Sequence, residues 1–128
     1  MKCTIGSVLI VEDDIDIRES LQTALEIEGY SAVSVENGLE AVQLLEQGDR
    51  PCLILLDMMM PVMNGWEFLQ HQQGKSSDIS SIPVIVVSAA GDRAKPVPAL
   101  NYLKKPIELE KLLSLVAKYC SHLSGAVV

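Results

Sequence analysis

The sequence has no apolar stretch long enough to cross a bilayer. Its richest apolar segment, residues 52–63, is interrupted by Asp57 and Pro61 and falls well short of the ~20 apolar residues that a spanning helix needs. The apolar residues 8–11 near the N-terminus are followed by acidic ones and are too few for a signal peptide. We therefore expect a soluble protein with no export signal and no membrane partner.

Paired cysteines are also lacking. The three cysteines, Cys3, Cys52 and Cys120, are an odd number and include no CxxC pair. This pattern indicates neither a disulfide framework nor a zinc cluster. A reducing compartment is the simplest location for such a chain, so we expect a cytoplasmic protein.

Basic residues are fewer than acidic ones. Ten Lys and Arg against 17 Asp and Glu give a formal net charge of −7. A negative protein is repelled by polyanions such as nucleic acid and by acidic lipid surfaces. Direct nucleic-acid binding by this chain is therefore not expected.

The length and the apolar content fit one folded unit. The chain has 128 residues, of which 48% are hydrophobic, and domains contain about 100–200 residues. We expect a single domain over residues 1–128, with a core at about 7–120 and a tail at 121–128 that frays.

Short apolar runs alternate with segments of helical periodicity. The runs predict strands at residues 7–11, 32–35, 52–56, 83–87 and 102–103. Helical spacing is clearest from Leu109 to Cys120, whereas the polar segment 74–81 is expected only to connect. This alternation predicts an α/β fold in which helices cover both faces of a parallel sheet.

Polar residues follow several of the predicted strands: Asp13, Asp14, Asp57, Ser88 and Lys105. In open parallel sheets, ligands bind outside the carboxyl ends of the strands. Three neighbouring carboxylates repel one another unless a cation lies between them, and oxygen ligands of this kind suit Mg²⁺. A lysine and a hydroxyl at the same edge suit an anion.

Four motifs contain these residues. They are Val-Glu-Asp-Asp at 11–14, Asp-Met-Met-Met-Pro-Val-Met-Asn-Gly at 57–65, Ser-Ala-Ala at 88–90 and Tyr-Leu-Lys-Lys-Pro at 102–106. Taken together, they resemble the receiver domain of two-component response regulators, and the resemblance runs from residue 8 to the last helix. It implies a flavodoxin-like, doubly wound sheet of five parallel strands in the order 2-1-3-4-5.

The resemblance also implies a function and a role for each site residue. Asp57 would accept a phosphoryl group from a histidine kinase or a histidine phosphotransfer protein. Asp13, Asp14 and the backbone carbonyl of Met59 would help Asp57 to hold Mg²⁺. The chain would then be a phosphorylation switch that catalyses only its own phosphoryl transfer and slow dephosphorylation, and not an enzyme with a separate substrate. Its output protein or domain is unknown.

Three further residues would pair with the phosphoryl group or report it. Lys105 would pair with the phosphoryl oxygens, and a cis bond to Pro106 is expected. Lys104 is the other candidate, but the family pattern places the lysine directly before the proline. The Ser88 hydroxyl would bond a phosphoryl oxygen, and Tyr102 would turn into the space that this movement opens.

Structural explanations exist for the same residues. Asp13 and Asp14 would also serve as caps of the first helix. Ser88 and Lys105 are ordinary residues when each is considered alone, and Tyr102 would then be an interior aromatic side chain with a solvated hydroxyl. Asp57 is harder to explain in this way, because a charge at the end of an apolar strand is costly unless it is paired.

Two departures from the family pattern bear on signalling. Only 13 residues separate Ser88 from Tyr102, and they include Pro96 and Pro98. Because proline disfavours helix, we expect a shortened or irregular fourth helix, with a short turn or loop over residues 91–100. The family modulates hydrolysis of the phosphoryl group through residues 59 and 90. These are Met59 and Ala90 here, and neither can orient a water molecule, so we expect slow self-dephosphorylation.

Two other function classes compete with a phosphoryl-accepting switch. A haloacid-dehalogenase-type phosphatase would need a second acidic residue two positions after its nucleophile, where this chain has Met59. A phosphorylation-independent, receiver-like protein-binding module would have lost a site residue, and none is lost.

Overall fold

The structure is a computed structural model that describes residues 7–60, 62–88 and 101–125. It describes the side chains of these residues except at 101 and 121–125. The elements follow in the order β1 (Ser7–Val11), α1 (Ile15–Ile27), β2 (Ser31–Val35), α2 (Gly38–Glu46), β3 (Leu53–Asp57), α3 (Gly65–Gln73), α4 (Ser77–Ser80), β4 (Val84–Ser88), β5 (Asn101–Lys104) and α5 (Leu109–Gly125).

The five strands form one parallel sheet in the order β2-β1-β3-β4-β5. This order confirms the prediction. Every residue of β3 and β4 is buried, as the absence of polar alternation in these strands predicts. The carboxyl ends of β1, β3 and β4 are adjacent at one edge of the sheet, where β1 ends at Val11, β3 at Asp57 and β4 at Ser88.

Two apolar layers cover the sheet. One layer packs buried residues of α2, α3 and α4 against it, including Val42, Phe68 and Ile79. The other packs buried residues of α1 and α5, including Leu25 and Leu112. The helix-covered parallel sheet of the prediction is thus confirmed.

The helices begin at capping residues that the sequence supplies. Asn37 caps α2, and Asn64 forms a reciprocal capping box with Glu67 at the start of α3. Gly29 and Gly48 follow α1 and α2 with φ angles of 95° and 110°. These angles lie in the left-handed region that glycine adopts readily, so both residues are suited to end their helices.

The segment 74–81 is more than a connection. It contains the single turn of α4, whose Ile79 side chain is buried. The buried Gln72 amide donates hydrogen bonds to the carbonyls of Ile79, at 2.9 Å, and Ile82, at 3.2 Å. The prediction was wrong here because the apolar periodicity of one turn is too short to be visible in sequence.

A disulfide joins Cys52 to Cys120 across 68 residues of sequence. The expectation of no disulfide is therefore wrong. Cysteine parity and spacing describe small disulfide-rich scaffolds, whereas this pair is brought together by the packing of α5 beside β3.

Some predictions fall outside the described residues. The segment 89–100 contains three of them: the shortened or irregular helix between the fourth and fifth strands, the loop at 91–100, and Ala90. Helix α5 continues to Gly125, five residues beyond the core boundary expected at 120. Among the described residues, no helix is both long and apolar enough to span a membrane.

Candidate functional site

Asp57 is the last residue of β3 and lies at the carboxyl edge of the sheet. The residue is buried, with only 4% of its surface exposed. The backbone N–H of Met59 donates a hydrogen bond to Asp57 Oδ1 at 3.2 Å. The turn after β3 therefore aims this carboxylate along the sheet edge.

Gly65 allows the chain after Asp57 to fold back closely. A Cβ atom at residue 65 would lie 2.9 Å from the Asp57 carbonyl oxygen and 2.7 Å from Met58 Cα. The Gly65 N–H donates to the Met58 carbonyl at 3.1 Å. Since backbone atoms cannot yield to a side chain at these distances, the loop that carries Asp57 requires glycine here.

Two acidic residues of the β1–α1 loop face Asp57. Carboxylate oxygens of Glu12, Asp13 and Asp57 all lie within 4.8 Å of one another. Glu12 is 2% exposed and Asp57 is similarly buried, whereas Asp13 is open to solvent. We call these three residues the acidic cluster. Closely spaced carboxylate oxygens with one open side fit Mg²⁺, which binds one or two carboxylates and keeps several waters.

Asp14 lies outside the acidic cluster. This differs from the sequence expectation, in which the Asp14 side chain joins those of Asp13 and Asp57. Its Oδ1 accepts hydrogen bonds from the N–H groups of Asp16, at 2.9 Å, and Ile17, at 3.2 Å. Asp14 is therefore the N-cap of α1, which is the structural alternative weighed from sequence. Glu12, rather than Asp14, lies with Asp13 and Asp57 in the acidic cluster.

Sequence reasoning missed Glu12, although a signal was present. Glu12 follows the last residue of β1 directly, and its N–H still bonds to the Val35 carbonyl in the manner of a strand. A residue in that position lies at the same sheet edge as Asp57. Asp14 is two residues farther along the chain, where it directly precedes α1 and caps it.

Arg18 is a second residue that the sequence did not single out. Its Nη1 donates to the Glu12 carbonyl at 2.9 Å and to the Asp13 carbonyl at 3.5 Å. The guanidinium thus fixes the backbone of the two loop residues whose side chains face Asp57.

Lys105 brings a positive charge to the acidic cluster. Its Nζ lies 3.0 Å from Glu12 Oε1 and 3.6 Å from Asp57 Oδ1. The Lys105 N–H donates to the Ser88 carbonyl at 2.9 Å, and the bond to Pro106 is cis, as expected. Lys104, the alternative lysine, is exposed.

The electrostatics of the site favour an added cation. Burial and the charge of Glu12 raise the pKa of Asp57 to about 7, although Met59 and Lys105 act in the opposite direction. Burial lowers the pKa of Lys105, but Glu12 and Asp57 outweigh it and raise that pKa overall. Among the described residues, the Lys105 ammonium pairs with Glu12 and Asp57, and Asp13 adds a third carboxylate, so the acidic cluster retains excess negative charge when all three are ionised.

Ser88 lies on β4, the strand beside β3, and Tyr102 lies on β5, the next strand of the sheet. Ser88 ends β4, directly after the residue that pairs with Asp57, and is buried. Tyr102 of β5 pairs with Val86 of β4 and is partly buried against the α2–α3–α4 layer. Ser88 thus lies near Asp57 at the carboxyl ends of the strands, whereas Tyr102 lies two residues before the end of β5.

The chain is similar in sequence to known response regulators. A model of the response regulator receiver domain matches residues 8–117. The response regulator MprA of Mycobacterium tuberculosis is 36% identical over 112 residues, which cover 84% of this chain and 47% of that protein. The chain therefore spans about half the length of this relative.

Solved structures show the same fold. The receiver domain of a signal transduction histidine kinase from Syntrophus aciditrophicus superposes with a TM-score of 0.77 at 33% identity, and 91% of each chain is covered. The receiver domain of a sensor histidine kinase from Pseudomonas aeruginosa PAO1 gives a TM-score of 0.82 at 26% identity, covering 91% of this chain and 98% of that one. That structure has a magnesium ion coordinated in its active site cleft.

Proposed function

Because the chain belongs to the response regulator receiver family, we propose that Asp57 is the phosphoryl acceptor of a histidine-to-aspartate phosphorelay. One observation carries the proposal: the buried Asp57 carboxylate lies in the acidic cluster and 3.6 Å from Lys105 Nζ. A carboxylate with a neighbouring cation and metal-ligating oxygens is suited to receive a phosphoryl group, because transfer requires alignment and charge neutralisation.

The metal site that we propose differs in one residue from the sequence expectation. Glu12, Asp13 and Asp57 would hold Mg²⁺, with the Met59 backbone carbonyl completing the protein ligands. When bound, Mg²⁺ neutralises charge on the phosphoryl oxygens. Asp14 stays the N-cap of α1 and does not contribute.

The phosphoryl transfer itself exchanges one bond for another. An Asp57 carboxylate oxygen attacks the phosphorus atom of a phosphohistidine on a histidine kinase or a phosphotransfer protein. The new O–P bond forms as the N–P bond breaks, and the electron pair returns to the imidazole, which takes up a proton. Lys105 Nζ, already close to Asp57 and Glu12, pairs with the phosphoryl oxygens as negative charge accumulates there.

Ser88 and Tyr102 would convert this local charge into a change of surface. The buried Ser88 hydroxyl is carried by the strand next to Asp57, so a small movement lets it donate to a phosphoryl oxygen. Tyr102 is partly buried on the strand beyond and would turn inward as Ser88 moves.

The environment of Asp57 also favours a long-lived phosphoryl group. Met59 is 71% exposed, and its thioether cannot orient water for attack on phosphorus. We propose that dephosphorylation by the chain alone is slow and that a phosphatase or back-transfer ends the signal. The same Met59 argues against a dehalogenase-type hydrolase, which needs an acid at this position.

Partners and location follow from the same assignment. We propose a cytoplasmic protein whose input is a histidine kinase or phosphotransfer protein and whose output is another protein or domain. The net charge of −7 opposes direct nucleic-acid or membrane contact by this chain.

Intact mass spectrometry tests the proposed function. We expect incubation with acetyl phosphate to add one phosphoryl group when Mg²⁺ is present and none when it is chelated. Asp57→Asn should abolish the adduct, whereas Asp14→Asn, which also removes one carboxylate from the same region, should retain it. No adduct in a protein that still binds Mg²⁺ would favour the protein-binding module instead.

A further inference from the structure

Cys52 and Cys120 occupy different environments although their side chains meet. Cys52 immediately precedes β3, where its N–H donates to the Ser7 carbonyl at 2.9 Å, and its side chain is partly exposed. Cys120 lies in α5 and is fully buried. Their Cα atoms are 5.8 Å apart, within the usual range of about 4.4–6.8 Å for a disulfide.

We propose that Cys52 and Cys120 form a reversible redox-modification site. In this site, low-molecular-weight disulfides react first with Cys52. Cys52 is the entry residue because a partly exposed thiolate is accessible to a small disulfide, whereas Cys120 is fully buried. Cys120 is the resolving residue because it is the disulfide partner of Cys52.

The reaction consists of two thiol–disulfide exchanges. The Cys52 thiolate attacks one sulfur of the small disulfide, forms a mixed disulfide and releases one thiolate, which takes up the proton that Cys52 lost. The Cys120 thiolate then attacks Cys52 Sγ, forms the protein disulfide and releases the second thiol. Two cysteine thiols lose two electrons in total, and the small disulfide is reduced to two thiols.

The cross-link joins helix α5 to strand β3 at the end of the sheet away from the acceptor. Leu112 and Val116 of α5 already pack in one apolar cluster with Leu53 and Leu55 of β3. The disulfide adds a covalent connection across 68 residues of sequence, which restricts the unfolded chain more than a short loop would. The oxidised protein should therefore resist separation of α5 from the sheet more strongly than the reduced protein does.

The site is separate from the phosphoryl chemistry. Cys52 precedes β3 and Asp57 ends it, and five strand residues at ~3.3 Å each place the two about 16 Å apart. Cross-linking therefore acts on α5 and leaves phosphorylation of Asp57 intact, so a phosphorylated protein can exist in either redox state.

The full-length chain, fully reduced and then exposed to glutathione disulfide, tests the proposal. We expect a loss of two hydrogens per molecule, a Cys52–Cys120 linked peptide, and a rise in Tm of about 10 °C over the reduced protein. Cys120→Ser should accumulate glutathione on Cys52, while Cys52→Ser should react much more slowly. Cys3→Ser, which changes the third cysteine, should behave as wild type.

Wild-type measurements cover the case in which a cysteine variant fails to fold. Iodoacetamide should label Cys52 before Cys120 in the reduced protein, and hydrogen exchange within residues 112–120 should slow on oxidation. A disulfide that includes Cys3, faster labelling of Cys120, or an unchanged Tm in cross-linked protein would overturn the proposal. So would loss of the acetyl phosphate adduct on oxidation alone. Failure of the reduced protein to form that adduct would contradict only the phosphoryl-acceptor function.

Discussion

Lys105 Nζ lies closer to Glu12 than to Asp57, at 3.0 Å from Glu12 Oε1 and 3.6 Å from Asp57 Oδ1. The buried glutamate thus holds the lysine beside Asp57. Glu12 has two tasks in this account, because it also belongs to the acidic cluster.

Replacing Glu12 by Gln should weaken Mg²⁺ binding by at least about tenfold, because one of three convergent carboxylates is lost. Isothermal titration of the unphosphorylated protein measures this directly. Asp14→Asn is the matched control, since asparagine caps a helix as well as aspartate does and the carboxylate it replaces binds the α1 backbone. Equal losses of Mg²⁺ affinity in the two variants would contradict the assignment of Glu12.

The stability of the metal-free protein should depend on the ionisation of Asp57. Its pKa rises to about 7 on folding, so the folded state binds more protons than the unfolded state between about pH 4 and pH 7. The stability contribution of Asp57 is therefore complete below pH 4 and is lost as the pH rises through 7.

Urea denaturation with chelator present checks this pH dependence. Asp57→Asn should be more stable than wild type at pH 8, and the difference in the free energy of unfolding should shrink by about 2 kcal/mol at pH 5. Comparison with Asp57→Asn removes the contributions of other titrating groups. A difference that stays constant with pH would show that Asp57 is ionised throughout.

Met59 should determine how long the phosphoryl group persists. We expect the half-life of the phosphoryl group on the wild-type protein to be much longer than seconds. Met59→Asn should shorten this half-life by about tenfold, because the asparagine amide can orient water. Val62→Asn places the same amide at a similarly exposed position of the same loop, since Met59 is 71% and Val62 73% exposed. Loss of the phosphoryl group within seconds from wild type, or equal acceleration by both variants, would refute this role.

The backbone conformation of Val62 should lower the free energy of unfolding of the wild-type protein. Its φ angle is 69°, in the left-handed region that β-branched residues rarely adopt. Val62→Asn should raise the free energy of unfolding by about 1 kcal/mol, since asparagine tolerates this conformation. Val62→Ala, which keeps the Cβ atom, should gain less. Chemical denaturation that finds Val62→Asn no more stable than wild type would contradict the proposed strain.

The sequence was sufficient for the sheet but not for every site residue. Apolar runs such as 52–56 can be buried only between helices, so strand positions and parallel pairing follow from local pattern. The choice between Glu12 and Asp14 depends on the residue at which β1 ends and α1 begins, and four consecutive residues, Val-Glu-Asp-Asp, do not define that point. Likewise, Cys52 and Cys120 meet only through the packing of α5, which cysteine spacing cannot reveal.

Locating the phosphoryl group in the chain tests whether Asp57 accepts it. Borohydride reduces an aspartyl phosphate to homoserine, which peptide mass spectrometry assigns to a residue. After incubation with acetyl phosphate and Mg²⁺, we predict homoserine at position 57 and none when Mg²⁺ is chelated. Homoserine at position 13 or 14 instead, or an adduct that forms equally without Mg²⁺, would contradict the account.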